Sequence, residues 1–354
     1  MNTFGDKLRL TTFGESHGPA MGGILDGMPP MIPIDFKEIN NEVAKRSPGS
    51  SILVTQRKES DSPEFLSGLS PEGITLGTPI GFIIRNNDTR SSDYSDLADK
   101  FRPNHADFTY SEKYHITDHR GGGRSSARET ANWVVGGALV QQFLSTRFNI
   151  EIHAVLSGVG KVSYTSQLID SLCTEPFSNL SLDIPDIIKK EMEGEILKAK
   201  EEGDSVGGTV TCVINGVKPG KGNPVFGKMH ARLAEAMMSI NAAKGFEYGL
   251  GYKAAQSRGI ETLDIFDCND EKREVLTKTN YSGGIQGGIS NGMPIFFNVH
   301  FKPTPTVMRE LPTVNKEFEH TTLKMRGRHD PCVAVRAVPV VKAMATLVVG
   351  NFYV

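Results

Sequence analysis

Gly14-Glu15-Ser16-His17-Gly18 places an acid, a hydroxyl and an imidazole side by side between two glycines. Such a group can display a proton donor on an exposed turn, or it can be a turn with polar caps, and spacing alone does not separate the two. A serine hydrolase fits less well. The serine is offset from a G-x-S-x-G elbow, and neighbouring side chains on a strand point to opposite faces. A second histidine stands in Arg102-Pro103-Asn104-His105-Ala106-Asp107, although a lone loop histidine is more often structural. Arg328-His329-Asp330-Pro331 sets two titratable groups beside an arginine, ahead of a proline that restricts the turn. The arginine would keep Asp330 ionised, as a base must be, but a local salt bridge accounts for the same residues.

The segment from Arg120 to Thr130 carries the strongest physical signal. Gly121, Gly122 and Gly123 run into a helical pattern that opens on Ser126-x-x-Glu129, the spacing of a capping box. A helix start offers unpaired N–H groups and partial positive charge, which suits an anion. Arg120, Arg124 and Arg128 would add full charges there. Surface arginines on a well-capped helix are the plainer reading, but three at one helix start repel each other, so a bound polyanion accounts better for them. No G-x-x-x-x-G-K-[ST] phosphate loop is present. Lys302-Pro303-Thr304-Pro305-Thr306 is stiff and extended and displays two hydroxyls and a lysine. It either lines a ligand site or simply leaves a strand.

The elements that must hold these segments alternate between strand and helix patterns. Strand-like runs cover Gly22–Leu25, Pro79–Ile84, Thr209–Ile214 and Ile295–Phe301, with apolar and polar residues alternating in Thr209–Ile214. Helical patterns cover Ser125–Phe148, Ile187–Glu202 and Lys228–Ala243, the last with Gly245 as its stop. The many charges of Ile187–Glu202 read as a solvated face. Gly22-Gly23-Ile24-x-x-Gly27-Met28-Pro29 is echoed by Gly287-Gly288-Ile289-x-x-Gly292-Met293-Pro294, through chance or through a repeated strand-turn unit.

Composition narrows the function classes. The chain has 354 residues, 38% hydrophobic and 23% charged, as a soluble globular protein has. A net charge of -2 gives no reason to expect a nucleic-acid partner. Cys173, Cys212, Cys268 and Cys332 are scattered, so reduced thiols are expected, with neither a disulfide framework nor a metal site. No apolar run reaches the roughly 18 residues of a membrane span, and Val338–Gly350 is broken by Lys342 and Thr346. The N-terminus lacks a secretory layout, and a cytoplasmic location is expected.

Taken in order, these segments resemble the chorismate synthase family. GESHGPAMGGILDGMP, GRSSARETANWVVGGAL and RHDPCVAVRAVPVVKAM are similar to its three signatures. KESDSPEFLSG, NNDTRSSDY, FRPNHADFTY, GGTVTCVINGV, SINAAKGFEYG and SGGIQGGISNGMPI, which lie between them, are similar as well. The likeness runs from Phe4 to about Phe352. It implies an α+β chain folded as a β-α-β sandwich, one domain over residues 1–354, assembled as a homotetramer. The implied reaction is conversion of 5-enolpyruvylshikimate-3-phosphate to chorismate by 1,4-elimination of phosphate and a proton, with reduced FMN required but no net redox change.

The resemblance also implies roles. His17 would protonate the leaving phosphate with Ser16 beside it, His105 would act as an acid towards the flavin, and Asp330 would help the flavin N5 take the substrate proton. Arg46, Arg102, Arg128 and Arg328 fall where the family binds substrate. Arg124, Ser125, Ser126, Asn241, Ala242, Gly287, Lys302, Pro303, Thr304, Pro305, Thr306 and Arg328 fall where it contacts FMN. The physics agrees, since a phosphate and carboxylates cannot be buried without partners, and arginine forks match both.

Four positions depart from the family pattern. Ile52 stands where many members have arginine, His115 and Thr117 replace glycine and arginine, and Lys342 replaces a usual glutamate. No G-x-G-x-x-G fingerprint follows a strand, which favours flavin reduction by a separate reductase over use of NADPH by this chain. Two other readings stand beside this one: a silent relative that binds FMN, disfavoured by the intact His17, His105 and Asp330, and a phosphate-ester enzyme of another class.

Overall fold

The computed structural model describes residues 1–47, 53, 61–86, 99–115, 122–175, 182–269, 274–325 and 330–354. Its first sheet joins β1 (Thr3–Phe4), β2 (Arg9–Gly14), β3 (Ala20–Asp26), β4 (Glu64–Phe65) and β5 (Ile80–Arg85) in the order β1-β2-β3-β5-β4, antiparallel throughout. Ile80, Phe82 and Ile84 alternate inward along β5, so one face of this sheet is sealed. The second sheet joins β6 (Glu151–Val159), β7 (Val162–Ser163), β8 (Gly208–Asn215), β9 (Ala243–Tyr248) and a late strand, Ile295–Phe301. Three hairpins lie between or after these strands: β10 (Phe266–Asn269) with β11 (Glu274–Thr277), β12 (Ile285–Gln286) with β13 (Ile289–Ser290), and β15 (Glu310–Val314) with β16 (His320–Lys324), leaving Ile295–Phe301 as β14.

The helices are α1 (Phe36–Arg46), α2 (Asp107–Tyr114), α3 (Thr130–Phe148), α4 (Thr165–Thr174), α5 (Asp186–Glu201), α6 (Met229–Met238), α7 (Tyr252–Gln256) and α8 (Val333–Asn351), and α3 and α8 fill the space between the two sheets. α3 touches β2 and β3 on one side and β6 on the other, while α8 packs on β6, β8 and β14 and against α3. Gly137 permits the close crossing: a Cβ there would lie 2.5 Å from the Ala343 backbone on α8. Sheet, helices and sheet therefore form a β-α-β sandwich with one apolar cluster running through it.

Several sequence expectations change. Thr209–Ile214 does not alternate: Val210 to Ile214 are all buried, because α8 covers one face and α4 with Leu172 and Phe296 the other. Thr211 survives burial by hydrogen bonding Ser157 Oγ at 2.8 Å and Asn298 Oδ1 at 2.7 Å. The pattern at Lys228–Ala243 stops being helical at Met238, and Gly245 lies within β9 rather than ending a helix. The echoed glycines differ as well. Gly22 and Gly23 sit mid-strand in β3, whereas Gly287 and Gly288, at φ 62° and 90°, turn the β12–β13 hairpin. Finally, α8 is apolar and long enough to cross a membrane, in spite of Arg336 and Lys342, but most of it is buried in the sandwich.

Candidate active site

β2 ends at Gly14, whose φ of 89° and 2.4 Å clearance from the Ala20 carbonyl exclude a side chain. The chain then turns back into β3 through Glu15–Gly18, closed by the Gly18 N–H donating to the Glu15 carbonyl at 3.0 Å. Buried Ser16 has its Oγ 3.0 Å from His17 Nδ1. Asn86, directly after β5, reaches this turn: its Nδ2 donates to the carbonyls of Glu15 at 3.1 Å and Gly18 at 2.8 Å. Its Oδ1 accepts from Arg128 Nε at 2.7 Å.

Arg128 continues the chain of contacts inward. Its Nη1 donates to Asp61 Oδ1 at 2.9 Å, and Arg46 Nη1 meets Asp61 Oδ2 at 3.0 Å. The Asp61 side chain is 1% exposed, so two guanidinium groups and the Ser47 hydroxyl supply what water would. Arg46 also donates to Thr130 Oγ1 and the Ala127 carbonyl, and at 3% exposure it has little surface left for a ligand.

The glycine–arginine segment does not form the expected helix start. Two 3-10 turns, Gly123–Ser125 and Ala127–Glu129, precede α3, and the N–H groups of Ser125, Ser126 and Glu129 are already bonded to local carbonyls. The capping box is absent. Ser126 Oγ accepts from the Arg128 N–H, but the Glu129 carboxylate turns to Arg124 Nη1 at 2.7 Å, Asn132 and Trp133. Burial pushes the Glu129 carboxyl up, against the pull of these donors. Arg124 also holds Thr12 and the Gly14 carbonyl. Of the segment's arginines, Arg124 thus pairs with Glu129, and Arg128 shares Asp61 with Arg46, so these carboxylates offset part of the repulsion that the sequence suggested. Arg124 and Ser125 border a cavity of about 1030 Å³ between the N-terminal strand, Trp133 and the end of α8, and no other residue of the expected FMN set lines it.

His105 stands in the loop before α2 and meets the segment that follows β14. Its Nδ1 is 3.1 Å from the Pro103 carbonyl, which fixes the proton there, and its Nε2 is 3.2 Å from Thr306 Oγ1. Burial, then the charge of Arg102, and also Lys302, bring its pKa down to about 4. Arg102 itself grips Asp107 with Nε at 2.7 Å and Nη2 at 2.6 Å. Lys302 Nζ donates to the Asn104 carbonyl at 3.0 Å, and burial and neighbouring Lys244 hold its pKa below the ordinary value. Thr304 Oγ1 donates to the Asp330 carbonyl at 3.0 Å, and the Asp330 carboxylate pairs with Arg336 Nη1 at 2.5 Å. Arg336 Nε in turn donates to the carbonyl of Arg46 at 2.8 Å. Asn241 Nδ2 meets the Ser125 carbonyl at 3.1 Å, and Ala242, at φ 66°, accepts from the Lys302 N–H.

Segments far apart in sequence are therefore tied together. Gly287 is not tied in by any hydrogen bond among the described residues, and Arg328, His329, Arg120, Gly121, Ile52 and Thr117 lie outside them. Asp330 pairs with Arg336, and Arg328, the neighbour that the sequence suggested for it, is among the residues outside the described ones. Sequence reasoning missed Asn86, Asp61 and Arg336. All three lie in stretches that resemble the family, NNDTRSSDY, KESDSPEFLSG and RHDPCVAVRAVPVVKAM, and the need of buried arginines for a carboxylate was the available signal.

The model of the family described as chorismate synthase matches residues 8–354. The chain belongs to the chorismate synthase family. Chorismate synthase from Bacteroides fragilis (strain YCH46) is 52% identical over 357 residues, covering 99% of this chain and 97% of the relative. That of Christiangramia forsetii is 50% identical over 353 residues, with the same coverage. A crystal structure of chorismate synthase superposes with a TM-score of 0.77 at 31% identity, covering 99% of this chain and 92% of that one. The sandwich is thus the chorismate synthase fold, and the activity that goes with family membership is that of a shikimate-pathway lyase acting on a phosphate-bearing substrate.

Proposed function

We propose that the chain converts 5-enolpyruvylshikimate-3-phosphate to chorismate and phosphate by 1,4-elimination, with reduced FMN as a cofactor that is not consumed. The observation that carries this reading is one hydrogen-bonded path that touches all three family signatures: the Glu15 and Gly18 carbonyls on either side of Ser16 and His17, then Asn86, Arg128, Asp61, Arg46, Arg336 and Asp330. A single domain over residues 1–354, assembled as a cytoplasmic homotetramer, completes the proposal. The apolar cluster shared by both sheets supports the single domain.

The residues present fit the flavin. Lys302 and Lys244 crowd like charges, Arg102 and Lys302 suppress protonation of His105, and an anionic group placed among them would relieve both effects. Thr304, Thr306, Ser125, Ser126 and Asn241 add neutral donors, while Pro303, Pro305, Ala242 and Gly287 offer backbone. Arg124 and Arg328 complete the set. When bound, reduced FMN supplies electron density to the elimination with no net oxidation. His17 protonates the departing phosphate, and the Ser16 hydroxyl holds its Nδ1. Arg102, Arg128 and Arg328 orient the substrate's anionic groups, and Arg46 backs Arg128 through Asp61. His105 presents a proton towards the flavin, and Asp330, held in place by Arg336, helps the flavin N5 take the substrate proton.

The test is anaerobic turnover of the phosphate ester with chemically reduced FMN. Many chorismates per flavin are expected, with the flavin still reduced at the end. NADPH without a reductase should yield no product, as the missing dinucleotide fingerprint suggests. Oxidation of one flavin per product would end this reading.

A further inference from the structure

We propose that Asn86 is a positioning residue for the reaction, coupling the guanidinium of Arg128 to the turn that carries Ser16 and His17. The proposal rests on the reading of His17 as proton donor and Arg128 as anion binder. Its basis is the way one amide serves three partners. Both Nδ2 bonds go to carbonyls, at Glu15 and Gly18, and the Oδ1 bond comes from an N–H, at Arg128. Only one orientation of the amide satisfies all three. The two carbonyls bracket Ser16 and His17, and the Asn86 N–H also donates to the Pro19 carbonyl at 3.2 Å, so main chain and side chain grip the same turn.

Arg128 is fixed on its other side by Asp61, whose remaining oxygen is held by Arg46 and Ser47. With Nε and Nη1 both committed, the plane of the guanidinium is set. Asn86 follows β5, and β5 pairs with β3, the strand that leaves the turn. Anion binder and proton donor thus share one platform in the first sheet. No other residue replaces this amide. Aspartate would keep the Arg128 contact but face two carbonyls with no donor, and alanine would release both sides. A shift of about 1 Å in a reacting group can cost roughly a hundredfold in rate.

The experiment is a double-mutant cycle in single-turnover chorismate formation, using His17→Ala, Asn86→Ala and the double variant. Asn86→Ala is expected to slow the step by roughly 10–100-fold. In the His17→Ala background it should slow it by less than about threefold, because the group it positions is gone. A full multiplicative loss in that background, or no loss in the single variant, overturns the proposal. Normal turnover in His17→Ala alone would instead overturn the reading of His17. Should Asn86→Ala fail to fold, Asn86→Asp carries the same cycle, and there KM is expected to hold within about threefold while kcat falls.

Discussion

His105 is held neutral by its neighbours. The Pro103 carbonyl takes the Nδ1 proton and Thr306 faces Nε2, while burial, Arg102 and Lys302 lower the pKa from 6.5 to about 4. As an acid it must first gain a proton, and an anion arriving beside Lys302 supplies the reason to do so. The same shift has a stability consequence. The unfolded chain protonates its histidine near pH 6.5 and the folded chain does not until about pH 4, so this contribution is lost as pH falls between those values. A His105→Asn variant escapes that loss, and the stability gap should move in its favour by about 1.4 kcal/mol per pH unit across the window. Denaturant melts from pH 7 to 4 measure it, and parallel curves for the two proteins would refute the assignment. The sequence showed His17, His105 and Asp330 as candidates, because glycine, proline and arginine neighbours mark them locally. Their partners were hidden. Nothing near Asp330 in the chain announces that Arg336, at the start of α8, will turn back to it, and nothing near His17 points to Asn86.

Helices α1 and α8 are joined through Lys342. Glu42 accepts from Lys45 at 2.6 Å and from Lys342 at 3.1 Å. Burial would raise its carboxyl, but the two lysines hold it below the ordinary value. The stability it confers is therefore present above the unfolded carboxylate range and lost as pH falls through the lowered pKa. Lys342→Glu would set a second carboxylate against the first. Discounted for the partial exposure of Lys342 and for the remaining Lys45, a loss of about 1–2 kcal/mol is expected at pH 7. It should shrink towards pH 4, and a pH-independent loss would mean that shape rather than charge matters here. Elements were legible where side chains alone decide them: Ile295–Phe301 was read end to end, and Ile187–Glu202 missed α5 by one residue at each end. They were misread where tertiary partners intervene. Glu129 leaves its capping position for Arg124 and Trp133, so α3 begins at Thr130. His115 shows the converse: it ends α2 at φ 56°, a left-handed conformation that suits glycine.

At the scale of the molecule, the helix layer packs against both sheets, which is what the proposal of a single domain rests on. α3 contacts β2, β3 and β6, and α8 contacts β6, β8 and β14, so neither sheet can lose its cover without exposing the other's. The site depends on that arrangement. Ser16, His17 and Asn86 hang from the first sheet, Lys302 to Thr306 follow β14 of the second, and Asp330 precedes α8 between them. Gly137 is the point at which to test it, because a methyl group there would meet both the Cα and the Cβ of Ala343 at 2.5 Å. Neither backbone can yield locally, so Gly137→Ala must push α3 and α8 apart, at a cost of about 1–3 kcal/mol for an overpacked crossing. If the layer is shared, amide protection should fall by the same factor in β3 and in β8, and heat should unfold the variant in one transition, at a lower temperature than the parent. Both proteins must be compared at equal concentration, since assembly of subunits shifts the midpoint. Protection lost in β3 alone, or two separate transitions, would show that the sheets fold independently and that a single domain over residues 1–354 is the wrong description.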